Sequence, residues 1–394
     1  MLFISLANVF PLRIRRLLGL ALLATLAACG GDGDTPAPEP TLDQKIGQMV
    51  MMGFHGTSAA DPGVQTMQEH FREGRLGGVV FYRYNIIEPE QVQALNSAFA
   101  SASTQALPVL RAIDQEGGRV QRLSAANGFR SHPSAEAVAG TLTPAQAYEL
   151  YRDQARLVRD AGFNFNLAPV ADLRGIPGDP AGDPGSPVIG GLERAFSSDP
   201  ATVALYAGEA VRAHRAEGVL TSLKHYPGHG LARGDSHRGL VDITDDYQPI
   251  EREPFRALIG AGLADSVMGA HLVHRGVDAE FPVTLSSRYL GPWLREQDGF
   301  GGVIVTDDLH MGAIQRYHDF EEIVIRAIQA GNDLLIFSNN PAAAPEVEGF
   351  EPRHDLPLQV IAVVRAAIER GELTEARIEW SYQRLQTLRS RAAG

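Results

Sequence analysis

The chain has 394 residues, 44% hydrophobic and 21% charged, with 35 basic and 47 acidic side chains and a single cysteine. That is enough apolar material for one large core or two ordinary ones. The acidic balance, with no basic run, speaks against a nucleic-acid partner and mainly favours solubility.

Arg13, Arg15 and Arg16 precede an apolar run from Leu17 to Ala28 that is too short to span a bilayer and reads as an export signal. The run ends Leu26-Ala27-Ala28-Cys29-Gly30. This resembles a bacterial lipoprotein processing site, in which Cys29 becomes the lipidated N-terminus; the other reading is a plain secretory signal. With Cys29 used there, no thiol remains for disulfides, nucleophilic catalysis or zinc. Residues 30–40, rich in Gly, Asp, Thr and Pro, read as a flexible linker. The expected organisation is therefore a signal over 1–29, a linker over 30–40 and one folded domain over 41–394. The expected location is the periplasm or cell envelope, on a lipid anchor at Cys29.

From Asp43 onward, short apolar runs alternate with longer segments of helical period, the pattern of repeated βα units. Strands are predicted over Gln48–Gly53, Gly78–Tyr82, Val109–Asp114, Phe163–Ala168, Leu220–His225, Ser266–His271, Val303–Asp307 and Asp333–Phe337. Helices are predicted over Thr143–Ala161, Pro200–Glu217, Pro249–Ala261, Asp319–Ala330, Pro357–Arg370 and Thr374–Leu388. Eight strands in this length fit an α/β fold of the (β/α)8 barrel type, with a doubly wound open sheet as the competitor. Asp114, Lys224, His225, His271, Asp307 and Asp308 all sit at strand C-terminal ends. In a barrel these ends share one face, where such groups are costly to bury unless they bind something.

Three stretches carry chemistry. Asp114-Gln115-Glu116-Gly117-Gly118-Arg119-Val120-Gln121-Arg122 places acidic and basic groups around a Gly-Gly turn. There Asp114 accepts two sugar hydroxyls and Arg122 reaches the same ring, or the stretch is a surface ion-pair network. The run Lys224-His225-Tyr226-Pro227-Gly228-His229-Gly230 is followed, after four residues, by Asp235-Ser236-His237. An extended segment would project Asp235 and His237 the same way. A carboxylate bonded to an imidazole fixes its tautomer and raises its pKa, giving a proton donor near neutrality. A zinc site on His225, His229 and His237 is the competing reading, but the spacing fits no strong motif and Lys224 opposes a cation. Thr306-Asp307-Asp308-Leu309 closes an apolar strand, so one carboxylate of the pair is expected to face inward. Asp307 then serves as a nucleophile, with Asp308 as a helix cap or supporting partner. No Walker sequence, dinucleotide fingerprint or Gly-x-Ser-x-Gly elbow is present.

With these residues in view, the chain resembles glycoside hydrolase family 3, in particular bacterial β-N-acetylhexosaminidases of the NagZ type, from about Asp43 to the end. The resemblance is carried most specifically by Lys-His-Tyr-Pro-Gly-His-Gly followed by Asp-Ser-His. It implies a barrel that works without a cofactor or metal, and a retaining two-step hydrolysis of terminal β-linked N-acetylglucosamine. Asp307 would be the nucleophile, His237 the proton donor and acceptor, and Asp235 its orienting partner. Asp114, Arg122, Arg194, Lys224 and His225 would contact the sugar ring. Arg194 is reached across a two-residue insertion after Pro187-Val188-Ile189-Gly190, and Leu231–Gly234 is less polar than the family pattern. Gly175–Ser186 is longer than usual and is expected to border the leaving-group side. The implied partner is a small oligosaccharide from peptidoglycan or chitin, and no protein partner is evident. Phosphorolysis of the same bond and a family 3 β-glucosidase are the alternative activities; a sugar-binding scaffold without turnover is the non-enzyme reading.

Overall fold

Burial on both faces makes a parallel strand a near-continuous apolar run, and eight such runs build the domain. They are β1 (Val50–Gly53), β2 (Gly78–Phe81), β3 (Leu110–Ile113), β4 (Phe165–Asn166), β5 (Leu220–Tyr226), β6 (Ser266–Gly269), β7 (Val303–Asp308) and β8 (Leu334–Phe337). The computed structural model describes residues 39–179, 182–343 and 351–392. The export signal, Cys29 and linker residues 30–38 lie outside the described residues.

The strands form a closed parallel barrel in the order β1, β8, β7, β6, β5, β4, β3, β2. Closure is explicit at β1, where Val50 lies opposite Leu335 of β8 and Met51 opposite Gly78 of β2. The doubly wound open sheet is thereby excluded. All eight predicted strands are present, most of them shorter than the apolar runs that announced them.

The crossover helices begin where their caps stand. Thr143 caps Pro144–Asp160 in a reciprocal box with Gln146, while Asp199 and Asp319 cap Pro200–Ala216 and Phe320–Ala330. The helix predicted over Pro249–Ala261 is instead a 3-10 turn, Pro249–Arg252, followed by an α-helix, Glu253–Gly260. Pro254 has no amide hydrogen to return to the carbonyl of Ile250, so a single α-helix cannot run through it.

The two ends of the barrel differ in chemistry. At the N-terminal end, buried Arg389 of the last helix donates to the carbonyls of Leu107 and Pro108 and pairs with Gln48. Buried Asp333 accepts from Arg295 at 2.6 Å, Ser381 at 2.7 Å and the Ile304 amide at 3.1 Å. These bonds tie the strand starts to the surrounding helices.

At the C-terminal end two strands lose their regular register. The pairing of β5 with β6 shifts between Leu223 and Tyr226, and that of β7 with β8 shifts between Val305 and Asp308. Bulges of this kind re-aim side chains, and both fall at residues of the chemical stretches. The Lys224–His225 peptide within the first bulge is cis.

Candidate active site

The floor of the site is an ion network assembled from β3, β5 and the connection after β4. Lys224, 3% exposed at its side chain, donates to Asp114 at 2.9 Å and to Glu116 at 2.7 Å. Arg122 holds the other oxygen of Asp114 at 3.1 Å. Arg194 grips both oxygens of Glu116 in a fork at 2.8 Å each. Burial alone would raise the pKa of Glu116, but Arg194 and Lys224 outweigh it and hold the carboxyl far below its usual range. Burial likewise opposes the charge on Lys224, and Asp114 and Glu116 reverse it. The network is thus charged, buried and fixed, with Asp114 at its edge accepting from two cations.

The second group is His225 with Asp172. Asp172, fully buried, accepts from His225 Nδ1 at 2.7 Å, from the His225 amide at 3.0 Å and from the His229 amide at 2.9 Å. Nδ1 is the donor in this arrangement, and His225 Nε2 stands 3.4 Å from Arg194 Nη2. His229 packs against His225 with its Nδ1 3.4 Å from Ser186 Oγ. Its buried Nε2 has no hydrogen-bond partner among the described residues. Burial, with His225 and Arg194 close by, outweighs Asp172 and pushes the His229 pKa down to about 4, so this ring is neutral. The three histidines of the segment engage separate partners, Asp172, Ser186 and Asp235, rather than converging on one point.

Asp307 and Asp308 both face the cavity, contrary to the expectation of one inward carboxylate. The bulge in β7 breaks the strict alternation on which that expectation rested. Their environments differ. Asp308 Oδ1 accepts the amides of Ser338 at 2.7 Å and His310 at 3.0 Å, and burial with the neighbouring charge of Asp307 pushes its pKa up to about 6. For Asp307, burial would also raise the pKa, but His271, His225 and His237 outweigh it, and the carboxyl is held below its ordinary value. His271 is in turn fixed by Thr284 at 2.7 Å and by the Asp308 carbonyl at 2.8 Å. Of two adjacent carboxylates, Asp307 is the one whose ionised form its surroundings favour.

Asp235 and His237 do form a pair, but through a turn rather than an extended segment. Asp235 Oδ1 accepts both the His237 amide and its Nδ1–H at 2.9 Å, and the Asp235 carbonyl accepts the Arg238 amide at 3.0 Å. Asp235 raises the pKa of His237 through that bond, against partial burial, and Asp307 adds to the effect. The His237 side chain remains 54% exposed at the cavity mouth.

The loop carrying this pair is anchored at both ends. At its root, Leu231 and Ala232 are buried and the Leu231 amide donates to buried Glu251 at 3.0 Å. At its tip, the Ser236 carbonyl accepts from Ala313 at 3.2 Å and the Arg238 carbonyl from Arg316 at 3.1 Å. Gly312, at the start of the helix after β7, approaches so closely that a Cβ there would lie 2.7 Å from the His237 carbonyl. Arg233 pairs with Asp183 at 2.7 Å, so the long Gly175–Ser186 segment touches this loop. None of its described residues lines the cavity.

The eight residues given a catalytic or sugar-binding role from the resemblance line one cavity of about 570 Å³: Asp114, Arg122, Arg194, Lys224, His225, Asp235, His237 and Asp307; His271, singled out at its strand end, is not among the lining residues. The apparent insertion before Arg194 is absorbed in a 3-10 turn, Gly190–Leu192, that ends at Glu193 in the left-handed region. Glu116, Asp172, Tyr82 and Tyr84 were not given a role, and His229 was weighed only as a zinc ligand. The first stood in a stretch readable as a surface network, and Asp172 lies 53 positions from the histidine it orients. A larger groove of about 920 Å³ between Phe320–Ala330 and Leu356–Glu369 is lined by exposed ion pairs such as Arg370 with Glu321 and Glu372.

The chain is similar to known proteins over most of its length. The model of the glycosyl hydrolase family 3 N-terminal domain matches residues 41–388. A β-hexosaminidase, LpqI of Mycobacterium tuberculosis, is 34% identical over 85% of this chain and 85% of its own length. A β-hexosaminidase of Alkalilimnicola ehrlichii is 34% identical over 80% of this chain and 87% of its own. Among solved structures, a family 3 β-N-acetylglucosaminidase from Paenibacillus superposes with a TM-score of 0.77 at 34% identity. That match covers 90% of this chain and 63% of the longer Paenibacillus chain.

Proposed function

Because the chain belongs to glycoside hydrolase family 3, we propose that the cavity hydrolyses terminal β-linked N-acetylglucosamine from small oligosaccharides with retention of anomeric configuration. The observation that carries this reading is the meeting, in one cavity, of a carboxylate kept anionic, Asp307, and a carboxylate-paired imidazole, His237.

In the first step Asp307 attacks the anomeric carbon as the bond to the leaving oxygen breaks. His237 gives its Nε2 proton to that oxygen. In the second step water attacks the anomeric carbon of the glycosyl–Asp307 ester, His237 takes the water's proton, and the bond from that carbon to Asp307 breaks to release the carboxylate. Asp235 keeps Nδ1 protonated, so that Nε2 is the atom that exchanges the proton. The usual arrangement employs two carboxyl groups; here the imidazole takes the place of the second. Asp114, Arg122, Arg194, Lys224 and His225 present acceptors and donors to the ring hydroxyls and acetamido group. Glu116 holds Arg194 and Lys224, and Asp172 holds His225. The substrates are peptidoglycan fragments or chito-oligosaccharides.

Purified protein is expected to release nitrophenol from the β-N-acetylglucosaminide much faster than from the β-glucoside. Equal rates would defeat the substrate assignment. Export and anchoring at Cys29 complete the reading: the Cys29→Ala protein is expected to leave the membrane fraction, and unchanged fractionation would remove the anchor.

A further inference from the structure

The end of the barrel opposite the cavity has no part in the chemistry above, and its surface departs from the acidic character of the chain. The last helix, Glu375–Ser390, lies across that end. Arg384 reaches Asp333 before β8 at 3.1 Å, Arg389 reaches Gln48 before β1 and Pro108 before β3, and Arg391 reaches Asp265 before β6 at 3.5 Å. Ile378, Ser381, Leu385 and Leu388 are buried, while Ala376, Trp380, Gln383, Thr387 and Ser390 form an exposed stripe without charge. Trp380, 62% exposed, is the most open large hydrophobic side chain among the described residues.

Around this stripe, arginines outnumber the carboxylates that hold them. Arg295, Arg377 and Arg384 share Asp333, and Arg215 and Arg391 share Asp265. Arg152, Arg156 and Arg159 share Glu217, just before β5. The three carboxylate side chains are only 0%, 1% and 6% exposed, so the outer surface is left to the guanidiniums. Each guanidinium carries five N–H donors, more than a shared carboxylate can occupy. The acids nearby on the surface are Asp160, paired with Arg159, Glu379, held by Lys45 at 2.6 Å, and Glu375 at the start of the helix. From Trp380 onward the sequence has no Asp or Glu, although the net charge of the chain is -12. An exposed indole among surplus arginines suits a bilayer surface, where the ring sits at headgroup depth and the guanidiniums fork onto phosphate oxygens.

We propose that this end of the barrel docks on an anionic phospholipid surface, with Trp380 among the headgroups and Arg156, Arg384 and Arg391 on the phosphates. The first helix, Leu42–Gln48, packs on the last through Lys45, which pairs with Glu379 and lies over the Tyr382 ring, so the chain enters the domain at the docking end. Docking there turns the cavity mouth away from the lipid. The inference takes from the export reading only that the protein works beside a membrane. Without a lipid chain such a face grips weakly and is screened by salt, which is compatible with the release expected of Cys29→Ala.

Residues 40–394 form one compact unit that holds all eight strands, and this domain is tested without signal, Cys29 or linker. It is sedimented with vesicles of phosphatidylcholine, or of an equimolar mixture of phosphatidylcholine and phosphatidylglycerol, at low salt. Partition onto the mixture is expected to be about tenfold stronger or more, and to be lost as salt rises. Brominated acyl chains are expected to quench Trp380, and the quenching to vanish in Trp380→Phe. A variant carrying Arg156→Gln and Arg391→Gln, with thermal unfolding as the check of its fold, is expected to bind the mixture about three- to tenfold more weakly. Equal partition onto both vesicles, an unquenched Trp380, or unchanged binding in the double variant would overturn the proposal. Self-association that shields Trp380 from a water-soluble quencher, without vesicle binding, would overturn it in favour of a second copy. Failure of the lipid anchor leaves this test untouched, so the two failures are distinguishable.

Discussion

At the scale of single residues, the site separates groups that look alike in the sequence by what surrounds each one. Asp307 and Asp308 are neighbours in one strand, yet histidines keep the first anionic while burial pushes the second up to about 6. His225 and His237 each bond a carboxylate through Nδ1, but only the Asp235–His237 pair stands at the exposed mouth of the cavity. Because Asp235 raises the His237 pKa, the protonated acid persists to higher pH than an unassisted imidazole. In Asp235→Asn the anionic acceptor is gone, so the alkaline limb of the kcat/KM–pH profile is expected to move to lower pH. An unmoved limb would assign that limb to another group. His237→Ala is expected to slow glycosides with poor leaving groups by about 10²–10⁴-fold, the usual worth of general acid catalysis. Uniform slowing of good and poor leaving groups would count against the acid role. Asp307, Asp308 and His225 were legible because they are chemically unusual at strand ends, and Asp235 and His237 because they fall in a loop dense in His, Asp and Gly. Asp172 and Glu116 were not, since their meaning lies in partners 53 and 78 positions away.

At the scale of elements, the loop carrying Asp235 and His237 owes its position to the helix that follows β7, the strand of Asp307. The close approach of Gly312 to the His237 carbonyl, with the Ala313 and Arg316 donors beside it, ties the placement of His237 to the helix after the strand that carries Asp307. Gly312→Val is expected to push the loop outward and lower kcat on diacetylchitobiose by about tenfold or more, since small misplacements of reacting groups are costly. Activity on nitrophenyl glycosides, whose departure needs less protonation, is expected to fall less. Equal losses on both would show that the helix affects more than the proton donor. The sequence announced this loop by its density of His, Asp and Gly, but described the Asp235–His237 contact as an extended one. A turn gives the same pairing through the backbone amide of His237. The two bulges were equally hidden, because register is a property of two strands and cannot be read from either alone.

At the scale of the whole molecule, the barrel divides its work between its two ends, with buried ion and hydrogen-bond networks at the strand starts and the reactive groups at the strand ends. The eight strands were legible because burial on both faces imposes continuous apolar runs. The break at Pro254 was missed where helical period alone was read. The fold also buries Glu251 under the root of the acid/base loop, and burial pushes its pKa from 4.5 up to about 8. Between those values the folded chain holds a proton that the unfolded chain has released. Stability from this group is therefore full at low pH, falls as pH rises through that window and levels off above it. Glu251→Gln keeps an acceptor for the Leu231 amide and removes the titration. Between about pH 5 and about pH 8, wild type is expected to lose on the order of a few kcal/mol relative to this variant in chemical denaturation. Parallel stability curves would mean that Glu251 is ionised in the fold.

The central assignment is the covalent step at Asp307, and it is tested most directly by trapping. A fluorinated N-acetylglucosaminyl donor with a good leaving group and a slowed second step should accumulate the glycosyl-enzyme, and peptide mass analysis locates the ester. The expected result is one sugar per chain on Asp307, with none in Asp307→Ala. A sugar on Asp308, or turnover that never passes through a covalent adduct, would contradict it.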